Sequence, residues 1–183
     1  MEEEELKGKA KKLFSYLLVQ RHSQPGCKGW ELKRLAGKNY QEILKIVSIM
    51  ADEANLKLVV VPDEEQKDDM DKARYVFVSK DAIGEKEGIG WMRIEEAASL
   101  AIILSQLYVK GTMESKKAIE SLLLEKLPAW RIKQIIAKLT RLGYIEEDAG
   151  YIKIGWRSKV EVDRDELLTS ILSKAGKEAS QPS

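Results

Sequence analysis

The chain is short of cysteine, histidine and net charge, and each shortage removes a class of chemistry. Cys27 stands alone, so no intramolecular disulfide and no cysteine-rich zinc or iron–sulfur site can be built within the chain. A reducing intracellular compartment suits it best. The single histidine, His22, lies beside Ser23 with no carboxylate at a triad spacing, which favours a solvated helix-end residue over a general base. Cys27, in Pro25-Gly26-Cys27-Lys28-Gly29, has no second histidine or cysteine nearby and reads as an inert turn or helix-start residue. Lys and Arg number 31 against 30 Asp and Glu. A dedicated DNA-binding domain usually carries a basic excess, because phosphate neutralisation supplies most of its affinity. Any basic surface must therefore be local, and protein partners gain weight. The longest apolar run, Ala97 to Val109, is interrupted by Ser99, Ser105 and Gln106 and is too short to cross a bilayer. Met1-Glu2-Glu3-Glu4-Glu5 is the opposite of a signal-peptide start. A cytoplasmic protein, with nucleoid association open to it, is the expectation.

Two glycine- or acid-rich stretches invite chemistry and lack its grammar. Asp63 to Asp71 is dense in carboxylates, yet it has no central glycine or closing glutamate of a calcium loop and reads as a solvated acidic loop. Gly84-Glu85-Lys86-Glu87-Gly88-Ile89-Gly90 lacks the lysine and hydroxyl residue of a phosphate loop and reads as a linker. No catalytic residue, metal ligand or cofactor is expected.

What is present is a repeated order of elements. At 183 residues, 44% hydrophobic and 33% charged, the chain can bury one core or two small ones. Residues 2–22 read as a helix with Leu6, Ala10, Leu13, Phe14, Leu17 and Leu18 on one stripe. Trp30 to Leu35 makes a short second helix ended by Gly37, and Asn39 is suited to cap a third that buries Ile43, Leu44, Ile46, Val47 and Met50. Leu56 to Val61 and Arg74 to Val78 have strand composition. After the linker, Arg93 opens an apolar helix to Val109, Gly111 turns the chain, Ser115 caps a helix to Glu125, and Pro128 starts the next. In that helix Trp130, Ile132, Ile135, Ile136, Leu139 and Leu142 form the buried stripe, and Gly143 stops it. Tyr144-Ile145 and Tyr151 to Ile154, separated by Glu146 to Gly150, form a hairpin. Three helices and a hairpin, twice over, spell a mainly α protein with small β-hairpins: tandem winged-helix domains at 1–80 and 93–174, joined by a linker at 81–92. Asp163 to Leu172 adds a last helix, and 175–183 reads as a disordered tail.

Two kinds of surface follow. Arg131, Lys133, Lys138 and Arg141 are left facing outward on a helix that can lie in a major groove, and Lys28, Lys33 and Arg34 form a smaller patch in the first half. Solubility accounts for such residues about as well, and Glu146, Glu147 and Asp148 place acid where a wing meets phosphate. The helix carrying Leu100, Ile103, Leu104, Leu107 and Tyr108 is apolar around more of its circumference than a surface helix needs. It must be buried on several sides, within its own core or under a partner.

The C-terminal half, with its glycine turn, Leu139-Thr140-Arg141-Leu142-Gly143-Tyr144-Ile145, hairpin and Gly155-Trp156-Arg157 leading to Glu161 and Leu167-Leu168, resembles the second winged helix of the MAGE homology domain. That family includes the non-SMC-element subunits of SMC complexes. Gly155, Arg157 and Glu161 keep the outline of its Gly-Pro-Arg-like motif, and Trp156 stands where the pattern varies. The resemblance spans Met92 to Leu172, departs in the second helix, and rests on element order in the first half. It implies a protein similar to the kite subunits: no catalysis, a clamp on a kleisin linker, auxiliary contact with double-stranded DNA, and ubiquitin-ligase partners for some members. The residues themselves offer Arg157 and Glu161 a simpler part, a local ion pair fixing the last helix. The alternative is a winged-helix transcription regulator reading DNA through Arg131, Lys133, Lys138 and Arg141. A homodimer through the first helix is open under either reading.

Overall fold

A computed structural model describes residues 2–19, 24–63, 65–80 and 92–170. His22, residues 81–91 of the expected linker and the expected tail 175–183 lie outside the described residues. The chain divides into two compact units, Met1–Gly88 and Ile89–Ser183.

The first unit runs α1 (Glu2–Leu18), β1 (Cys27–Lys28), α2 (Gly29–Ala36), α3 (Tyr40–Glu53), β2 (Leu56–Val61) and β3 (Arg74–Ser79). Its three strands form one antiparallel sheet in the order β1-β3-β2, with Tyr75 facing Cys27 on one side and Val60 on the other. This is winged-helix topology, the short first strand closing on the inner strand of the hairpin. Ala10, Leu13 and Leu17, at helical steps of three and four, join Leu32, Ile43, Val47 and Tyr75 in the core. The α1 stripe is narrower than the sequence suggests, since Leu6 and Leu18 are exposed. Asn39 occupies the N-cap of α3 but makes no side-chain capping bond.

The second unit repeats the plan with α4 (Ile94–Lys110), β4 (Met113–Ser115), α5 (Lys116–Leu124), α6 (Ala129–Leu142), β5 (Ile145–Asp148), β6 (Tyr151–Ile154) and α7 (Trp156–Glu161). The sheet order is β4-β6-β5. Ser115 caps α5 as expected, its Oγ accepting from the Ala118 amide at 3.2 Å. The hairpin is tighter than its sequence reads: Glu146, Glu147 and Asp148 belong to β5, opposite Lys153, Ile152 and Tyr151. The turn is Ala149-Gly150 alone, both at positive φ, as a two-residue primed turn requires. Residues 164–170 are helical, and Asp163 Oδ1 accepts from the amides of Asp165 and Glu166 at 2.9 Å each, capping that helix.

The α6 stripe is Ile132, Ile135, Ile136 and Leu139. Trp130 is not part of it, being 63% exposed. It lies three, seven and eleven residues before Lys133, Ala137 and Arg141, all exposed, so helical geometry puts it on the outward face.

Candidate interaction site

The Gly155 to Glu161 segment closes on the start of β5 as a lock. A Cβ on Gly155 would stand 2.3 Å from the Gly143 carbonyl oxygen, so only glycine lets the two backbones approach this closely. The Gly155 amide donates to the Tyr144 carbonyl at 2.9 Å and the Arg157 amide to the Gly143 carbonyl at 3.0 Å. Buried Ser158 adds its hydroxyl to the same Tyr144 carbonyl at 2.7 Å. Gly143, in the left-handed region at φ 83°, leaves room for the half-buried indole of Trp156; a Cβ there would meet its Nε1 at 2.6 Å. The Arg157–Glu161 ion pair forms, Nε to Oε1 at 2.6 Å, and the guanidinium lies 4.6 Å over the Tyr144 ring. Tyr144 donates its hydroxyl to Glu161. Burial, reinforced by that carboxylate, pushes the phenol well above its ordinary range.

Beside this lock lies an open groove of about 310 Å³. Leu100 and Leu104 of α4, Met92, Val162 and Leu167 give it an apolar lining, and Tyr144 and Glu161 supply its polar edge. Pockets of this character, mostly apolar with a few fixed polar groups, are where ligands and peptide side chains settle. The five α4 residues expected to meet a partner divide here. Ile103 and Leu107 are fully buried among Ile119, Ile132, Ile136 and Leu139, so the core of the unit itself explains them. Tyr108 is half-buried, with Arg164 5.5 Å from its ring centroid. Only Leu100 and Leu104 reach the groove.

The basic residues divide more sharply, and the expectation that all four on α6 face outward is corrected. Arg131 and Lys138, seven residues apart, share the flank of α6 that meets the start of α4. Arg131 bonds Glu95 and lies 3.5 Å from Glu96; Lys138 bonds Glu96 at 2.5 Å. Glu96 also accepts the Arg93 amide at 3.0 Å. Burial raises its pKa, but Lys138, the Arg93 amide and Arg131 outweigh that and hold the carboxyl below its ordinary value. In the first unit Lys33 bonds Asp71, and Lys28 reaches Asp63 at 3.4 Å and the Lys72 carbonyl at 2.7 Å. The acidic loop is therefore folded back and bonded, with Asp71 also accepting from Tyr40 at 3.0 Å. Arg34 lies 5.5 Å from the centroid of Trp30. Of the seven candidate DNA contacts, Lys28, Lys33, Arg131 and Lys138 already hold carboxylates of this chain. Lys133, Arg141 and Arg34 are exposed.

Cys27 is buried in β1, and desolvation pushes its thiol up to about 12, far from a nucleophile's range. Among the described residues no group of three or more His, Cys, Asp or Glu side chains is placed to hold a metal ion.

Fold and sites together define a tandem winged-helix protein. No family model and no curated protein matches the chain. Among solved structures it is similar to a chain of the "Nse1-Nse3-Nse4 complex", with a TM-score of 0.69, 18% sequence identity, and coverage of 95% of this chain and 91% of that one. The likeness is one of fold, and it runs through both winged-helix units.

Proposed function

We propose that the protein is a non-enzymatic architectural subunit that binds a kleisin-like segment in an SMC-type chromosome complex. The observation that carries this reading is the fold likeness, across both units, to a chain found in a multi-protein complex. The MAGE-like motif outline that Gly155, Arg157 and Glu161 keep supports it, because these residues brace the wall of an apolar groove. The groove, lined by Leu100, Leu104, Val162 and Leu167, is the docking place for apolar side chains of the partner. Commitment of four candidate basic residues to internal carboxylates favours a protein partner over DNA. Exposed Trp130, Lys133 and Arg141 on one face of α6 favour auxiliary duplex contact as a second activity.

Affinity purification of the tagged protein from its native cells, with nuclease present, tests the reading. Recovery of a kleisin-like or SMC-like protein, lost when Leu167→Asp fills the groove with charge, is the expected result. Recovery of the bait alone, with duplex DNA retained when nuclease is omitted, would sink it and leave a DNA-binding regulator in front.

A further inference from the structure

The first unit carries a groove of its own, about 430 Å³, between the C-terminal turns of α1 and the end of α2. Lys11, Lys12, Ser15, Tyr16 and Val19 line it from one side and Leu35 from the other. Lys12, Tyr16 and Val19 follow steps of four and three, so a single line of the helix faces the groove. Val19 and Leu35 are 55% and 44% exposed, an apolar floor left to water. Tyr16 is held from beneath, its hydroxyl donating to buried Glu31 at 3.0 Å, so the groove is formed before anything enters it. The rim is basic and open. Four lysines elsewhere in this unit are held by the chain's own carboxylates, Lys9 by Glu5, Lys28 by Asp63, Lys33 by Asp71 and Lys80 by Asp52. Among the described residues none does so for Lys11 or Lys12.

We propose that this groove docks an acidic amphipathic helical segment of a protein partner, its carboxylates on Lys11 and Lys12 and its apolar stripe on Val19 and Leu35. A rim of one sign selects a partner of the other. A nucleic-acid backbone meets the charge but has no apolar face to lay on Val19 and Leu35. From Lys11 to Leu18 the helix rises about 10 Å, with Val19 just beyond its end, enough for roughly two turns of a partner helix in the groove. The inference rests on the first unit alone and is independent of the groove beside α7.

A photo-crosslinking amino acid in place of exposed Ser15, in the full chain in its native cells, tests it. Irradiation precedes lysis and nuclease treatment, and the attached peptide is sequenced by mass spectrometry. The expected adduct maps to a segment rich in Asp and Glu with apolar residues recurring every three to four positions. Lys11→Glu combined with Lys12→Glu lowers its yield about tenfold or more, because both rim contacts turn repulsive. Leu35→Asp lowers it likewise. Circular-dichroism melts report whether each variant is folded, and if Leu35→Asp is not, the lysine pair decides. A crosslinker at Leu167 reads the other groove, so failure of one site is distinguishable from failure of the other. An adduct to a neutral or basic segment, to DNA or to a second copy of this chain overturns the proposal. So does no adduct, or one indifferent to the lysine reversals.

Discussion

Replacing Glu96 by Gln keeps the shape of the side chain and removes its charge, which isolates the cluster joining α4 to α6. Glu96 is 4% exposed and serves Lys138, Arg131 and the Arg93 amide at once. A hydrogen bond to a charged group contributes about 1.5–3 kcal/mol, and partial exposure of Lys138 argues for the lower part of that range, so a loss of about 2 kcal/mol is expected. In a unit of this size that lowers the melting temperature by roughly 8–16 °C. Hydrogen exchange on the full chain, read by mass spectrometry, should place the loss in the second unit and leave α1 to β3 unchanged. The pH dependence gives a sharper check. The carboxyl is more acidic folded than unfolded, so its contribution is fully present above the unfolded value of 4.5 and is lost as pH falls through the lower folded value. The gap between parent and Glu96→Gln should therefore be constant from pH 7 to about pH 5 and shrink below it. A gap that widens or stays level as pH drops from neutrality toward pH 3, or one under about 0.5 kcal/mol at pH 7, refutes the reasoning.

Gly155→Ala forces a Cβ into the Gly143 carbonyl and should cost about 1–3 kcal/mol in urea unfolding, with an unaltered midpoint showing that the backbone contact is not tight. Lys133→Ala with Arg141→Ala should reduce the salt slope of any duplex binding by about 2 in fluorescence anisotropy, whereas Lys138→Ala should act mainly on stability. Equal effects of the two on DNA would contradict the division of the α6 face. Cys27 should resist iodoacetamide at pH 8 in the folded protein and react on unfolding, followed by the mass shift, since burial raises its pKa to about 12 and blocks access.

Helical periodicity carries most of the fold by itself. Ile132, Ile135, Ile136 and Leu139, or Ile43, Leu44 and Val47, define buried faces because a 3.6-residue repeat has one way to bury them. Gly111, Gly143 and Ser115 mark helix ends through backbone freedom and capping chemistry that are local. The order of helices and hairpins, and with it the tandem winged-helix plan, needs nothing more. Strands β1 and β4, at two and three residues, are too short for alternation to be seen, and the acidic stretch Glu146 to Asp148 of β5 has turn-like composition. Those strands exist because β3 and β6 offer them a partner edge, a long-range event.

The sites divide the same way. The Arg157–Glu161 pair is legible from its four-residue spacing, although the helix that brings the two side chains together, α7, is not part of the sequence reading. Glu96 and Lys138 are separated by 42 positions, Lys33 and Asp71 by 38, and nothing in a linear pattern pairs them. A lysine on an exposed-looking helical position has the same sequence signature whether it faces solvent, a phosphate or a buried carboxylate of its own chain. Packing of α6 on α4, and of the acidic loop on α2, decides which. The grooves are likewise products of packing, since an apolar residue such as Leu35 reads as core or surface only once the neighbouring helix is placed beside it.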